Sequence, residues 1–207
     1  MKKILITGGC GFVGSNLIPR MIKKGYEVRV VDNFSKVNDQ YISKFGIECI
    51  QADIRDKKDI ANALKDVCSV IHLAASGSVI ESVTNPHENF NNNVLGTFTL
   101  LDECRKKDVC NLIFASTGGA IYGEQDYFPA KENHPQKPTS PYGISKLSIE
   151  GYLRFYQEQY GIKSIIFRYG NVFGPRQNPN GEAGVVIRYY ETQEQAIIGD
   201  PIDDNCD

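Results

Sequence analysis

The sequence predicts a doubly wound α/β fold around a parallel sheet, on three observations. Short β-branched runs recur at residues 4–6, 28–31, 47–50, 70–73, 111–114 and 164–167. Most lack polar alternation and read as strands buried on both faces. Between most of them lie longer stretches with helical spacing, at 12–24, 56–65, 89–106 and 141–160. Finally, a glycine-rich turn leaves the first run and leads straight into the first helical stretch. Strand alternating with helix means parallel strands joined by right-handed crossovers.

Composition narrows the function classes. The 207 residues are 41% hydrophobic and 23% charged, which suits a globular domain and excludes a disordered or collagen-like chain. Lys and Arg total 23 against 25 Asp and Glu, so no basic surface for nucleic acid is expected. No apolar run reaches the roughly 18 residues that span a bilayer, and Met1-Lys2-Lys3 leads into a strand-like run rather than a signal-peptide core. A cytoplasmic protein is expected. The six cysteines are scattered with no C-x-x-C pair and read as reduced thiols packed as small apolar residues. His72 falls in a buried run, and His87 and His134 lie beside prolines, so no metal site is assigned. Asp200, Asp203, Asp204 and Asp207 lack the Gly and Glu of a calcium loop and read as a solvated acidic tail.

The turn after the first strand is Thr7-Gly8-Gly9-Cys10-Gly11-Phe12-Val13-Gly14, which satisfies both G-x-x-G-x-x-G and G-x-G-x-x-G. In this context glycines allow a tight turn, let a pyrophosphate reach backbone N–H groups at the helix start, and pack helix on strand. The second strand ends in Val31-Asp32-Asn33, 18 residues after Gly14 for Asp32. A carboxylate there accepts both ribose hydroxyls of an adenosine and repels a 2′-phosphate, which argues for NAD over NADP. A strand-end Asp also caps turns by itself.

Tyr142 and Lys146 stand four apart behind Ser140 and Pro141, an N-cap Ser and a Pro at the first helical position, so their side chains share one helix face. An ammonium beside a phenol favours the phenolate and suits it to general-base work. Alone, the pair also describes a solvated Lys and a packing Tyr. Ser116 and Thr117 leave the carboxyl end of the fifth strand, where open α/β sheets place their sites, and offer hydroxyls to a substrate oxygen. Residues 124–140, with three prolines, read as a long loop bordering that site.

Together with Ala52-Asp53-Ile54, His72-Leu73-Ala74-Ala75, Asn93-Val94-Leu95-Gly96-Thr97, Ser116 to Gly123 and Arg168 to Arg176, these motifs resemble the extended short-chain dehydrogenase/reductases. The likeness is to their NAD-dependent epimerase/dehydratase family, over about residues 1–187. Within that family the sequence is most similar to UDP-glucose 4-epimerases, which oxidise carbon four of the sugar with tightly held NAD and return the hydride to the other face. The resemblance implies a Rossmann-type NAD-binding domain over 1–175 and an incomplete substrate-domain segment with an acidic tail over 176–207. It implies that Tyr142 is the base and that Lys146 holds the nicotinamide ribose. Gly8, Gly11, Phe12, Val13, Gly14, Asp32 and Asn33 line the cofactor, with Asp53 and Ile54 against adenine and Leu73, Ala74 and Ala75 along it. By the same resemblance Ser116 also binds the cofactor, Asn93 and Tyr169 lie near its ribose and nicotinamide, and Ser78, Val79 and Asn171 meet the sugar nucleotide. Relatives dimerise through two helices, here at about 89–106 and 141–160.

The sequence departs from the family pattern at the catalytic Ser or Thr. Four residues before Tyr122 stands Gly118, and Thr117 is the substitute. Gly118-Gly119 also replace the acidic pair of the dehydratases, which disfavours dehydration. UDP-glucuronate or UDP-N-acetylhexosamine as substrate, and a non-catalytic NAD-binding module, remain alternatives. Most of the substrate domain has no counterpart here, so little turnover is expected of these residues alone.

Overall fold

The computed structural model describes residues 2–36 and 40–178. The remainder of the expected 176–207 segment, with its acidic tail, lies outside the described residues. The chain divides into two units, Met1–Gly170 and Asn171–Asp207. In the second, the described residues include a turn closed by the Gln177 N–H on the Gly174 carbonyl (3.3 Å).

The first unit holds strands β1 (Lys3–Thr7), β2 (Glu27–Asp32), β3 (Glu48–Gln51), β4 (Val67–His72), β5 (Asn111–Thr117) and β6 (Lys163–Tyr169). They form one sheet in the order β3-β2-β1-β4-β5-β6, every neighbouring pair parallel. The chain winds outward one way from β1 and the other way from β4. A crevice therefore opens at the carboxyl ends of β1 and β4, where Thr7 and His72 are register partners.

Among the described residues seven helices accompany the sheet: α1 (Phe12–Lys23), α2 (Lys57–Ala63), α3 (Val79–Thr84), α4 (Pro86–Asn89), α5 (Gly96–Lys106), α6 (Gly118–Ile121) and α7 (Pro141–Tyr160). Three begin on a side-chain cap, Ser78 at α3 among them. Asp56 accepts the Lys58 and Asp59 N–H groups at α2, and Ser140 accepts that of Gly143 (3.1 Å) at α7, with Pro141 in the first turn. The 89–106 stretch is not one regular helix. A π-helical turn over Phe90–Leu95 separates α4 from α5, and the Thr97 hydroxyl bonds to the Asn93 carbonyl (2.5 Å) there. Between β2 and β3 the described residues include a 3₁₀ turn, Ile42–Phe45.

Consecutive residues of a strand point to opposite faces, and both faces of the central strands are covered. Leu5, Val31, Val70, Leu112 and Phe114 pack with Ile60, Leu100, Leu101, Ile149 and Leu153 on one side. Ile4, Ile6, Val28, Val30 and Ile71 pack with Ile18 and Ile42 on the other. This is why those runs lack polar alternation. The expectation of two buried faces fails at the edges, where β6 leaves Ile165 and Phe167 exposed and β3 is only half-buried. Among the described residues, no helix is long and apolar enough to cross a membrane.

Candidate active site

The glycine turn is built by close approach. Gly8 sits at φ +67°, and a Cβ on it would stand 2.6 Å from the Ala74 nitrogen, so the turn lies directly against the end of β4. A Cβ on Gly14 would run into the Gly9 carbonyl, so α1 packs hard on the turn. Gly11 caps α1 without a side-chain bond, and the first turn of α1 carries no acidic residue. The amide groups of Phe12, Val13 and Gly14 thus stand at a positive helix end with no side chain among the described residues answering them. Such a glycine-rich, donor-rich turn at a helix start fits a pyrophosphate.

Asp32 is buried at the end of β2, where its carboxylate holds two backbone turns. One oxygen accepts the Phe34 N–H (3.0 Å), an ordinary turn cap, and the other accepts the Cys10 N–H (3.1 Å) inside the glycine turn. The carboxylate retains lone pairs for ribose hydroxyls. Asn33 is exposed and caps Ser35 N–H (3.1 Å). Asp53 is forked onto Arg55, at 2.9 and 2.5 Å, which holds its carboxyl below the usual carboxylate range. Ile54 turns its side chain into the core, against Gly96.

Behind the crevice runs a hydrogen-bonded chain that the motifs did not reveal. The Ala74 N–H donates to the Thr7 hydroxyl (3.3 Å), and Thr7 meets His72 Nδ1 (2.7 Å). His72 Nε2 meets the Thr97 hydroxyl (2.8 Å), which donates to the Asn93 carbonyl. Because Thr97 spends its proton there, Nε2 carries the imidazole hydrogen and Nδ1 accepts from Thr7. Burial, and secondarily the Lys146 charge, push the His72 pKa down to about 3, so the ring is neutral at pH 7. Three asparagines grip the next turn: Asn93 holds both backbone groups of Ser76 (2.7 and 3.1 Å), and Asn92 and Asn89 add bonds at 3.0 and 3.5 Å. Asn93, expected beside the cofactor, therefore commits its amide to fixing the loop that carries Leu73, Ala74 and Ala75. Polar residues inside apolar strand and helix patterns were the available signal.

On the other side of β4, α7 brings Tyr142 and Lys146 to the carboxyl end of β5. Lys146 is buried, and its ammonium lies 5.7 Å from the Tyr142 ring centroid and 4.7 Å from that of Phe114. Among the described residues it has one hydrogen-bond acceptor, the Ala115 carbonyl (2.8 Å). Burial pulls its pKa down to about 8. A buried ammonium with donors to spare fits ribose hydroxyls and a neighbouring phenolate.

Ser116 and Thr117 diverge. The Ser116 hydroxyl donates to the buried Glu150 (2.6 Å), whereas Thr117 makes no capping bond to α6 and its hydroxyl has no partner among the described residues. Glu150 also receives the Arg168 fork at 3.0 and 2.7 Å, and Arg168 reaches on to the Tyr122 hydroxyl (2.8 Å) and the Glu132 carbonyl (3.0 Å). The 124–140 loop is thereby pinned to β6 and α7. Inside the loop, His134 accepts the Asp126 N–H (3.0 Å) and bonds Pro135 O (2.9 Å), which is its structural use. Tyr169 pairs with Thr117 across the strands, and burial raises its pKa.

A cleft of about 290 Å³ opens between Val79, Ala120, Glu124 and Ser140. Val79 thus lines a cavity at the start of α7, while Ser78 caps α3 through the Glu81 N–H (2.9 Å). Asn171 is exposed and belongs to the second unit. Among the described residues no cluster of His, Cys, Asp and Glu could hold a metal.

The model of the NAD dependent epimerase/dehydratase family matches residues 4–200. The chain belongs to that family. Among solved members of similar structure, UDP-glucose 4-epimerase of Thermus thermophilus, in complex with NAD, superposes at TM-score 0.86 and is 44% identical, covering 91% of this chain and 61% of its own. UDP-glucose 4-epimerase of Thermotoga maritima, with UDP-glucose, gives TM-score 0.87 at 42% identity, covering 91% and 62%. UDP-N-acetylglucosamine 4-epimerase of Methanobrevibacter ruminantium, in complex with UDP-N-acetylmuramic acid, gives 0.82 at 36%, covering 87% and 58%. The chain spans about half to two thirds of the length of the curated family members it matches.

Proposed function

We propose that this chain binds NAD and supplies the base for epimerising a UDP-hexose at carbon four, with UDP-glucose and UDP-galactose as the pair. The observation that carries the reading is the buried Lys146 ammonium, 5.7 Å from the Tyr142 ring at the carboxyl edge of the sheet. The glycine turn and the α1 amides would hold the pyrophosphate, Asp32 the adenosine ribose, and Lys146 the nicotinamide ribose. Bound NAD supplies a reversible hydride acceptor. Tyr142, as phenolate, takes the proton of the carbon-four hydroxyl and returns it after the ketose has turned over. Lys146 favours the phenolate by its charge. Thr117 offers its uncommitted hydroxyl to the substrate oxygen, and the cleft beside Val79 receives part of the sugar nucleotide.

The reduced-nicotinamide absorbance on adding UDP-glucose to the NAD-loaded protein tests this. A signal lost in Tyr142→Phe with NAD affinity kept is the expected result. NAD binding with no signal selects a non-catalytic binding module, and no NAD binding removes both readings. The N-acetylglucosamine epimerase among the similar structures favours UDP-N-acetylhexosamine as the second substrate class to assay.

We further infer pairing with a second copy through α5 and α7. Phe98, Tyr152 and Phe155 are exposed there, beside Leu95 at the end of the π-helical turn, and Phe98 meets Tyr152 edge-on at 5.5 Å, forming an apolar surface across both helices. Sedimentation that gives a monomer at micromolar concentration would remove this inference.

A further inference from the structure

Two cysteines that no proposed role uses stand together under the glycine turn. Cys10 lies within the turn, Cys49 lies in β3, and their sulfurs are 3.7 Å apart although 39 residues separate them in sequence. The arrangement follows from the fold: Cys49 pairs with Val30 of β2, and Val30 is the side chain against which Gly9 packs. Cys10 is nearly buried and Cys49 half-buried. The other described cysteines are placed differently. Cys68 and Cys110 face the backbone carbonyls of Lys3 and Asp108, and Cys104 is sunk in the core, where burial raises its pKa.

We propose that Cys10 and Cys49 are a redox-closable dithiol whose disulfide tethers the glycine turn to β3. The oxidant is a low-molecular-weight disulfide such as glutathione disulfide. The Cys49 thiolate, the more accessible, attacks one sulfur of that disulfide, breaking its S–S bond and releasing one thiolate. The Cys10 thiolate then attacks Cys49 sulfur in the mixed disulfide and expels the second thiolate. Two protein thiols are oxidised, one small disulfide is reduced to two thiols, and the two protein protons pass to the leaving thiolates.

Closure has a consequence for the site. The sulfurs must approach from 3.7 Å to about 2.05 Å, and Cys10 is the residue whose N–H holds the Asp32 carboxylate. Drawing Cys10 toward β3 pulls that amide from Asp32 and deforms the surface assigned to the pyrophosphate. The oxidised form therefore binds NAD more weakly, and bound NAD shifts the dithiol–disulfide equilibrium toward the dithiol by reciprocal linkage. This second half rests on the NAD reading proposed above; the cross-link does not.

The test is peptide mapping after exposure to glutathione disulfide, with and without NAD. Tryptic peptides 4–20 and 45–55 each contain one of the pair and no other cysteine. Their joined species, 2 Da lighter than the sum and absent in Cys49→Ser and in Cys10→Ser, is the expected product, reversed by dithiothreitol. Mixed disulfides alone, on Cys110 or on Cys49, would overturn the proposal. NAD titration of the two forms is expected to show at least a tenfold weaker Kd after oxidation, unchanged by the same treatment in Cys49→Ser. Equal Kd values in the cross-linked and reduced proteins would overturn the coupling. Failure of the reduced protein to bind NAD would instead overturn the cofactor reading and leave the cross-link to stand on the peptide map.

Discussion

Replacing Lys146 by Met is expected to stabilise the protein at pH 7 while destroying the site. The side chain is buried, with one hydrogen-bond acceptor among the described residues, and burial lowers its pKa from 10.5 to about 8. At about 1.4 kcal/mol per pKa unit, the charged form at pH 7 costs about 3 kcal/mol relative to the unfolded chain. Met keeps the length and apolar stem of the side chain and removes that cost. The bond to Ala115 O is lost, which returns roughly 1–2 kcal/mol, so a net gain of about 1–2 kcal/mol remains. The pH dependence is the sharper readout. Between pH 8 and 10.5 the folded protein has released the Lys146 proton while the unfolded chain still holds it, so wild-type stability rises with pH relative to Lys146→Met. The gap should close by about 2 kcal/mol between pH 7 and pH 10. Urea midpoints of both proteins at the two pH values measure it. A gap that does not change with pH, or a variant clearly less stable at pH 7, would refute the claim that a destabilising charge is stored here.

Three further outcomes are expected. Asp32→Ala should narrow the preference for NAD over NADP, because the carboxylate at the end of β2 is what a 2′-phosphate would meet; cofactor titrations giving equal affinities in the wild type would remove Asp32 from that role. Glu150→Ala should cost about 3–5 kcal/mol in denaturant unfolding, since it strands the buried end of Arg168 and the Ser116 hydroxyl, and adding Arg168→Met should recover part of the loss. His72, whose folded pKa of about 3 lies below its unfolded value, contributes stability that is complete above pH 6.5 and lost as pH falls toward 3. His72→Gln should flatten that acid limb of the unfolding midpoint, and an unchanged limb would count against a neutral buried ring.

The parts of this protein that its sequence determined are those governed by neighbours along the chain. Apolar runs without alternation announce strands covered on both faces, Ser140-Pro141 starts a helix by cap chemistry, and a glycine turn after a strand specifies close backbone approach whatever surrounds it. Tyr142 and Lys146 share a face because four residues make about one helical turn. Tertiary structure alone decided which of the remaining polar residues are spent and which are available. Ser116 and Thr117 are equivalent in sequence, yet Glu150, 34 residues from Ser116, takes only the Ser116 hydroxyl. Asn93 and Asp53 bond to Ser76 and Arg55, partners that local spacing does not name. The Lys146 pKa, the neutrality of His72 and the meeting of Cys10 with Cys49 likewise depend on burial and on partners brought together only when β1, β3, β4 and α7 assemble. Desolvation and long-range hydrogen bonding have no signature in local spacing.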